Sequence, residues 1–220
     1  MSELNSSEII IMLLLAVGSY LIGNISPASL IGRIYGVDIR KEGSGNPGTT
    51  NVLRTLGSKA AAFTLLIDIL KGVAAVIAAK FYGNELLEYI CGTAVFFGHI
   101  WPIFYNFKGG KGIATGFGIM IAIDYRCALI CLACAILGAF FTKRMSWGSI
   151  FAGMAVPTAF FFFHREYILW SIFVCFIVIW RHKANIKRII EGTEPTIGFL
   201  TKNKKDGKDS DNESKSKHKA

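Results

Sequence analysis

Three short polar segments carry most of the residue types able to hold an anion or move a proton. The first is GSGNPGTTN at positions 43–51, followed by Arg54. Gly43, Ser44, Asn46, Thr50 and Asn51 offer hydroxyl, amide and backbone donors on a sharply turning loop, and such donors can cradle an anion. Arg54 adds a guanidinium suited to phosphate. The same composition also makes a plain inter-helix turn with a cap for the next helix, and the pattern alone leaves both readings open. The second segment is FKGGKGIAT at 107–115. Gly109, Gly110 and Gly112 let the backbone approach a ligand closely, and Lys108 and Lys111 supply charge. A helix that starts directly afterwards adds unpaired N–H groups. The glycine spacing differs from Walker A and no Ser or Thr follows the lysine, so a basic turn remains the alternative. The third segment is RHKANIKRIIEGTE at 181–194. His182 and Asn185 share one helical face. The imidazole can carry a proton near neutral pH, and the amide can hold a substrate oxygen or orient the ring. The lysines and arginines around them also fit an amphipathic exit resting on anionic headgroups.

Ionisable residues within apolar surroundings are fewer. Asp68 and Lys71 stand at i and i+3, where burial of charge demands a partner or a polar cavity; a structural ion pair is the expectation. His99, just ahead of Trp101 and Pro102, reads equally as a hydrogen-bonded structural histidine or a site residue. No Gly-x-Ser-x-Gly elbow is present, no His is followed five positions later by Asp, and the loops hold no carboxylate cluster suited to magnesium. The five cysteines lie in apolar stretches without metal-ligand spacing and read as packing residues.

The elements that must position these segments are membrane helices. Of 220 residues, 52% are apolar and 18% charged, against roughly a quarter charged in soluble domains. The apolar residues come in blocks at 8–31, 57–80, 86–105, 112–123, 125–142, 146–163 and 166–181. Such blocks read as helices, because hydrocarbon leaves every backbone polar group to be paired within its segment. The stretch 112–142 would reach about 46 Å as one helix, beyond a core of roughly 30 Å, so a hairpin at 124–126 and a short span before it are expected. The first block carries no basic n-region and reads as a retained span. The net charge of +9 sits mostly in alternate loops: Arg33, Arg40, Lys41 and Arg54; Lys108 and Lys111; Lys143 and Arg144; then the cluster from 181 to 188. By the positive-inside rule these face the cytoplasm. The expectation is an all-α integral membrane protein of about seven transmembrane helices, N-terminus outside and C-terminus cytoplasmic. Residues 1–200 form one polytopic domain and 201–220 a disordered basic tail. Charge placed this way points to a membrane face and not to nucleic acid.

Taken in order, GSGNPGTTN with Arg54, Asp68, Lys71 and Gly72, Gly98 and His99 with Pro102, FKGGKGIAT, and Arg181 and His182 through Asn185 to Glu194 resemble the bacterial acyl-phosphate:glycerol-3-phosphate acyltransferases, the PlsY family, over about residues 8–198. The resemblance implies a seven-span enzyme of the bacterial cytoplasmic membrane that makes 1-acylglycerol 3-phosphate from acyl phosphate and glycerol 3-phosphate without metal or cofactor. It implies essential roles for Ser44 and Arg54, phosphate binding by Lys108, Gly109, Gly110, Lys111 and Gly112, activity from His182 and Asn185, and a structural role for Glu194. It further implies a functional link to an enzyme supplying acyl phosphate; a monomer is expected. The competing class is a transporter or channel for an anionic phosphorylated metabolite, against which stand the absence of an internal repeat and the placing of all three motifs at one face.

Overall fold

The computed structural model describes residues 5–197; the lysine-rich tail at 201–220, expected to be disordered, lies outside them. No strand occurs among the described residues. Ten α-helices follow in order: α1 (Ser6–Gly23), α2 (Pro27–Ile34), α3 (Thr49–Leu56), α4 (Ser58–Tyr82), α5 (Glu85–Ile100), α6 (Ile113–Ile123), α7 (Tyr125–Thr142), α8 (Met145–Phe163), α9 (Ile168–Arg181) and α10 (Lys183–Ile190). Among the described residues, five stretches are long and apolar enough to cross a bilayer: Ser6–Ile34, Ser58–Tyr82, Glu85–Tyr105, Tyr125–Thr142 and Met145–Phe163. The pair Arg165–Arg181 and Lys183–Ile190, bent by 55°, is a sixth candidate.

Small residues bring the helices together, as expected where lipid removes the hydrophobic drive for helix association. A Cβ on Gly23 or Gly98 would press into the facing backbone of α5 or α1, one on Gly72 or Gly118 into that of α6 or α4, and one on Gly148 into that of α7, each closer than 3 Å. Aromatic rings fill the space between α5, α8 and α9, with Tyr89 stacked on Tyr167 at 3.7 Å and edge-on to Phe160 and Trp170.

The expected hairpin within 112–142 is present. Asp124 separates α6 from α7 because its carboxylate caps α7, accepting the Arg126 N–H at 2.8 Å. The same carboxylate holds the Arg126 guanidinium and the His164 ring, at 2.6 and 3.1 Å, so the α6–α7 and α8–α9 turns meet at one end of the bundle.

The short helix α6 has 11 residues, about 16 Å. It nevertheless ends level with the last turn of α4, where Lys80 Nζ donates to the Ile123 carbonyl at 3.4 Å. It manages this by starting deep: Thr115 packs on Gly72 and Gly118 on Ile69. These α4 residues lie roughly 15 Å or more beyond the helix start. The FKGGKGIAT segment therefore dips into the bundle before α6 begins. Irregular backbone at such depth is tolerated only where protein pairs its polar groups. Gly109 and Gly110 meet that condition by donating to the carbonyls of Ile100 and His99 at 3.1 and 3.0 Å.

Candidate active site

Asn51, in the first turn of α3, shapes the first motif. Its Oδ1 accepts the Ser44 N–H at 2.9 Å, while Nδ2 donates to the carbonyls of Ile39 and Glu42 at 3.1 and 2.9 Å. That uses three of the amide's four sites, so Asn51, expected among ligand-binding groups, is engaged in folding the loop. Gly43 adopts φ +57°, and a Cβ there would strike Asn51 Oδ1. The Ser44 and Arg54 side chains are exposed, with Asn46 and Thr50 half-buried. Arg40 ties this loop to the second motif: its guanidinium lies 4.6 Å from the Tyr105 ring centroid and donates to the Lys108 carbonyl.

The second motif rests on α5. A Cβ on Gly109 would strike the His99 carbonyl, one on Gly110 the His99 ring, and one on Gly112 the Phe96 ring, each closer than 3 Å. The three glycines thus let the loop close on its own scaffold. The carbonyls of Gly109 and Gly110 accept from Arg181 Nη2 at 3.0 and 2.9 Å, joining this loop to the third motif. Beneath it, Lys71 Nζ lies 2.7 Å from Asp68 Oδ1 and 2.7 Å from His99 Nδ1. It also donates to the Gly23 and Ile25 carbonyls at 3.3 and 3.0 Å. All three side chains are buried. Together they fasten the α1–α2 break, α4, α5 and, through the His99 ring, the glycine loop.

In the third motif a buried network surrounds Glu194. Its carboxylate accepts from Ser146 Oγ, from Asn185 Nδ2 at 2.8 Å and from Arg188 Nε at 2.6 Å. Burial works to raise its pKa, but these hydrogen bonds outweigh that and hold it below the ordinary carboxylate value. Asn185 also donates to Ser146 at 2.8 Å and accepts from Lys111 Nζ through Oδ1. Lys111 of the second motif and Asn185 of the third are therefore in direct contact.

Lys111 is pushed down to about 8, chiefly by burial. The nearby Arg188, Arg181 and Arg54 charges lower it further, while Glu194 opposes them. All three motifs thus contribute cations near Lys111, and the Glu194 carboxylate among them is already committed to its own partners. Such an excess of positive charge is suited to a phosphate dianion. His182 is almost wholly buried, and burial followed by the Lys111 charge pushes it down to about 4. Its Nδ1 lies 2.8 Å from the Val178 carbonyl. A carbonyl can only accept, so the proton sits on Nδ1 and Nε2 offers a lone pair. Neutral His182 is thus a hydrogen-bond acceptor beside the cationic cluster.

Of the expected residues, Lys111, Asn185 and Glu194 are in one network, with Arg54 and His182 beside it. Arg40, Arg181, Arg188 and Ser146 join that constellation without having been singled out as site residues. The first three carried a visible signal as basic residues in or next to the motifs; Ser146 carried none, since its partner Glu194 is 48 positions away.

The arrangement has relatives. The sequence profile of the family described as glycerol-3-phosphate acyltransferase matches residues 13–192. A glycerol-3-phosphate acyltransferase of Clostridioides difficile (strain 630) is 44% identical over 200 residues, covering 87% of this chain and 98% of that one. One from Neisseria meningitidis serogroup C is 42% identical over 188 residues, covering 82% and 94%. Among solved structures, the glycerol 3-phosphate form of PlsY, an integral membrane glycerol 3-phosphate acyltransferase, superposes with a TM-score of 0.81 at 33% identity, over 86% of this chain and 97% of that one. Its lysophosphatidic acid form gives 0.78 at 32% identity, over 84% and 95%. With sequence profile, near full-length relatives and fold in agreement, the chain belongs to the glycerol-3-phosphate acyltransferase family of integral membrane enzymes.

Proposed function

We propose that this chain, a glycerol-3-phosphate acyltransferase, takes its acyl group from acyl phosphate and passes it directly to the 1-hydroxyl of glycerol 3-phosphate. The observation that carries the reading is the gathering of Lys111, Arg54, Arg181 and Arg188 beside neutral His182. Lys111, with Lys108 and the backbone of Gly112, holds the phosphate of glycerol 3-phosphate, on a loop that Gly109 and Gly110 anchor to α5. Ser44 and Arg54 hold the phosphate of the donor. His182 Nε2 accepts a hydrogen bond from the acceptor hydroxyl and orients it. Asn185 is a positioning residue, because its amide is spent on Lys111, Ser146 and Glu194. In the step itself the hydroxyl oxygen bonds to the acyl carbon and the bond from that carbon to the phosphate oxygen breaks. A histidine pushed down to about 4 is a weak base, so the hydroxyl proton leaves with the departing phosphate. The mixed anhydride is already activated, and positioning and oxyanion stabilisation suffice.

Ser44 is not a nucleophile in this reading. Among the described residues no hydrogen bond joins its hydroxyl to a histidine or carboxylate, the base a covalent route normally needs. The chain crosses the bacterial cytoplasmic membrane seven times, α6 forming the short crossing, with the N-terminus outside and the three motifs facing the cytoplasm. It acts as a monomer, uses no cofactor and depends on an enzyme that supplies acyl phosphate.

The test is transfer from palmitoyl phosphate to radiolabelled glycerol 3-phosphate by purified protein, with palmitoyl-CoA as control donor. Product from palmitoyl phosphate alone is expected; equal product from palmitoyl-CoA overturns the donor assignment. Palmitoyl phosphate added without acceptor is expected to leave no acyl group on the denatured chain. A stoichiometric label that Ser44→Ala abolishes and that moves to acceptor makes Ser44 the nucleophile.

A further inference from the structure

Helix α10 has two faces, and the site uses only one. His182, Asn185 and Arg188 turn inward to Val178, Lys111 and Glu194. The outward face continues α9 across the 55° bend. It begins at Phe176, Ile179 and Trp180 and goes on through Lys183, Ile186 and Lys187 at spacings of three and four, the repeat of one helical stripe. The bend makes this stripe concave, a groove of about 510 Å³ that Ile190 and Glu191 close. Phe176 is 63% exposed and Ile190 81% exposed, so among the described residues nothing covers these two apolar side chains. Lys183 Nζ stands 5.1 Å from the Trp180 ring centroid, and Lys187 Nζ lies 3.8 Å from Glu191.

The occupant follows from place and charge. The groove lies where a membrane-crossing helix bends away from its axis, and it presents tryptophan and lysine beside bare aliphatic surface. Trp and Lys have this pairing at the headgroup level, the ring at the boundary and the ammonium reaching for phosphate. Two lysines against one carboxylate leave the groove net positive, which selects an anionic headgroup over a zwitterionic one. We propose that the α9–α10 elbow binds an anionic membrane phospholipid, an acyl chain lying on Phe176, Ile179 and Trp180 and the phosphodiester between Lys183 and Lys187. Because Asn185 rides on the same eight-residue helix, the bound lipid steadies the inner face and raises turnover. The binding claim stands on the groove alone; the effect on turnover rests on the acyltransferase reading.

The test uses the full chain in nanodiscs of phosphatidylcholine alone or with phosphatidylglycerol. Native mass spectrometry reads which lipid is retained, and acyl transfer is measured in parallel. The wild-type chain is expected to retain phosphatidylglycerol in preference, by about fivefold for each lysine engaged, and to turn over faster when it is present. Both preferences are expected to vanish in the Lys183→Gln, Lys187→Gln double variant, whose side chains face away from the site, while Glu191→Gln strengthens them. Undiminished preference in the double variant overturns the proposal. So does a KM for palmitoyl phosphate that added phosphatidylglycerol raises, the competition expected if the donor occupies the groove. A chain inactive in every membrane refutes the acyltransferase reading and leaves the lipid-retention result to decide this one.

Discussion

Burial holds Lys111 at about 8 instead of the ordinary lysine value near 10.5, and in its proposed role on the acceptor phosphate this sets an alkaline limit on capture of glycerol 3-phosphate. Raising the pH removes the Lys111 proton, and with it the charge-assisted contact to the acceptor phosphate. With a pKa of 8, about nine-tenths of the free enzyme carries the charge at pH 7 and about one-tenth at pH 9. Toward glycerol 3-phosphate, kcat/KM is therefore expected to fall roughly five- to ninefold across those two units, the charged fraction falling about tenfold and the residual activity of the neutral form limiting the loss. The fall ends on a floor set by the lost contact, about 1.5–3 kcal/mol or ten- to a hundredfold. On the acid side a second limb is expected near pH 6, where the substrate phosphate dianion takes up a proton. At saturating glycerol 3-phosphate the bound dianion keeps the proton on Lys111, so the alkaline limb of kcat moves to higher pH. The assay is initial-rate acyl transfer from palmitoyl phosphate between pH 5.5 and 10, corrected for spontaneous hydrolysis. Lys111→Arg is the control, since a guanidinium stays charged throughout the range; whatever its absolute rate, its limb near pH 8 must disappear. A flat wild-type profile to pH 10, or the same limb in Lys111→Arg, refutes the assignment of this lysine.

Gly109→Ala should displace the glycine loop, because the added Cβ meets the His99 carbonyl, which cannot swing away; thermal midpoint and kcat/KM are expected to drop together. Gly116→Ala, whose Cβ finds only Phe96 carbons at 3.7 Å and beyond, should leave both nearly unchanged, and the same loss in both variants sinks the argument. Asp68→Ala should cost about 3–5 kcal/mol by leaving the buried Lys71 ammonium unpaired, read by unfolding in mixed detergent; a loss below about 1 kcal/mol places the ion pair outside the scaffold. Cysteines replacing Lys41, Lys108 and Gly192 should react with impermeant maleimide from the cytoplasmic side alone, and labelling of the last from outside removes the seven-crossing topology.

Much of the scaffold was legible because membrane helices announce themselves as apolar blocks, and the turns at 124, 143–144 and 164–166 lie where polarity interrupts them. The break at 24–26 inside the first block was less visible. Its residues stay within an apolar stretch, and only Ser26 with Pro27, a cap and a first-turn proline, hinted at it. The three motifs stood out by residue type and spacing, but what their glycines make room for did not. Spacing cannot say whether a missing Cβ makes room for a ligand or for protein, and at Gly109, Gly110 and Gly112 it makes room for His99 and Phe96. Nor can it say that Asn185 serves Lys111, because that contact spans 74 positions.

Depth connects the buried triad to the chemistry. An acyl group lies in hydrocarbon and glycerol 3-phosphate in water, so an acyltransferase must bring cationic groups down to the boundary. A loop of glycines carried there loses water as a partner for its N–H and C=O groups and needs protein replacements. Here Ile100, His99 and Arg181 supply them, and the His99 ring on which Gly110 rests is itself fixed by Lys71. Lys71 in turn draws the broken end of α1 against α4 and α5 through the Gly23 and Ile25 carbonyls. Catalytic geometry has to hold to about half an ångström, and three motifs from distant stretches of chain do not reach that by contact with one another alone. The Asp68, Lys71 and His99 cluster supplies the common base, and α6 can be short because the loop has already descended to it.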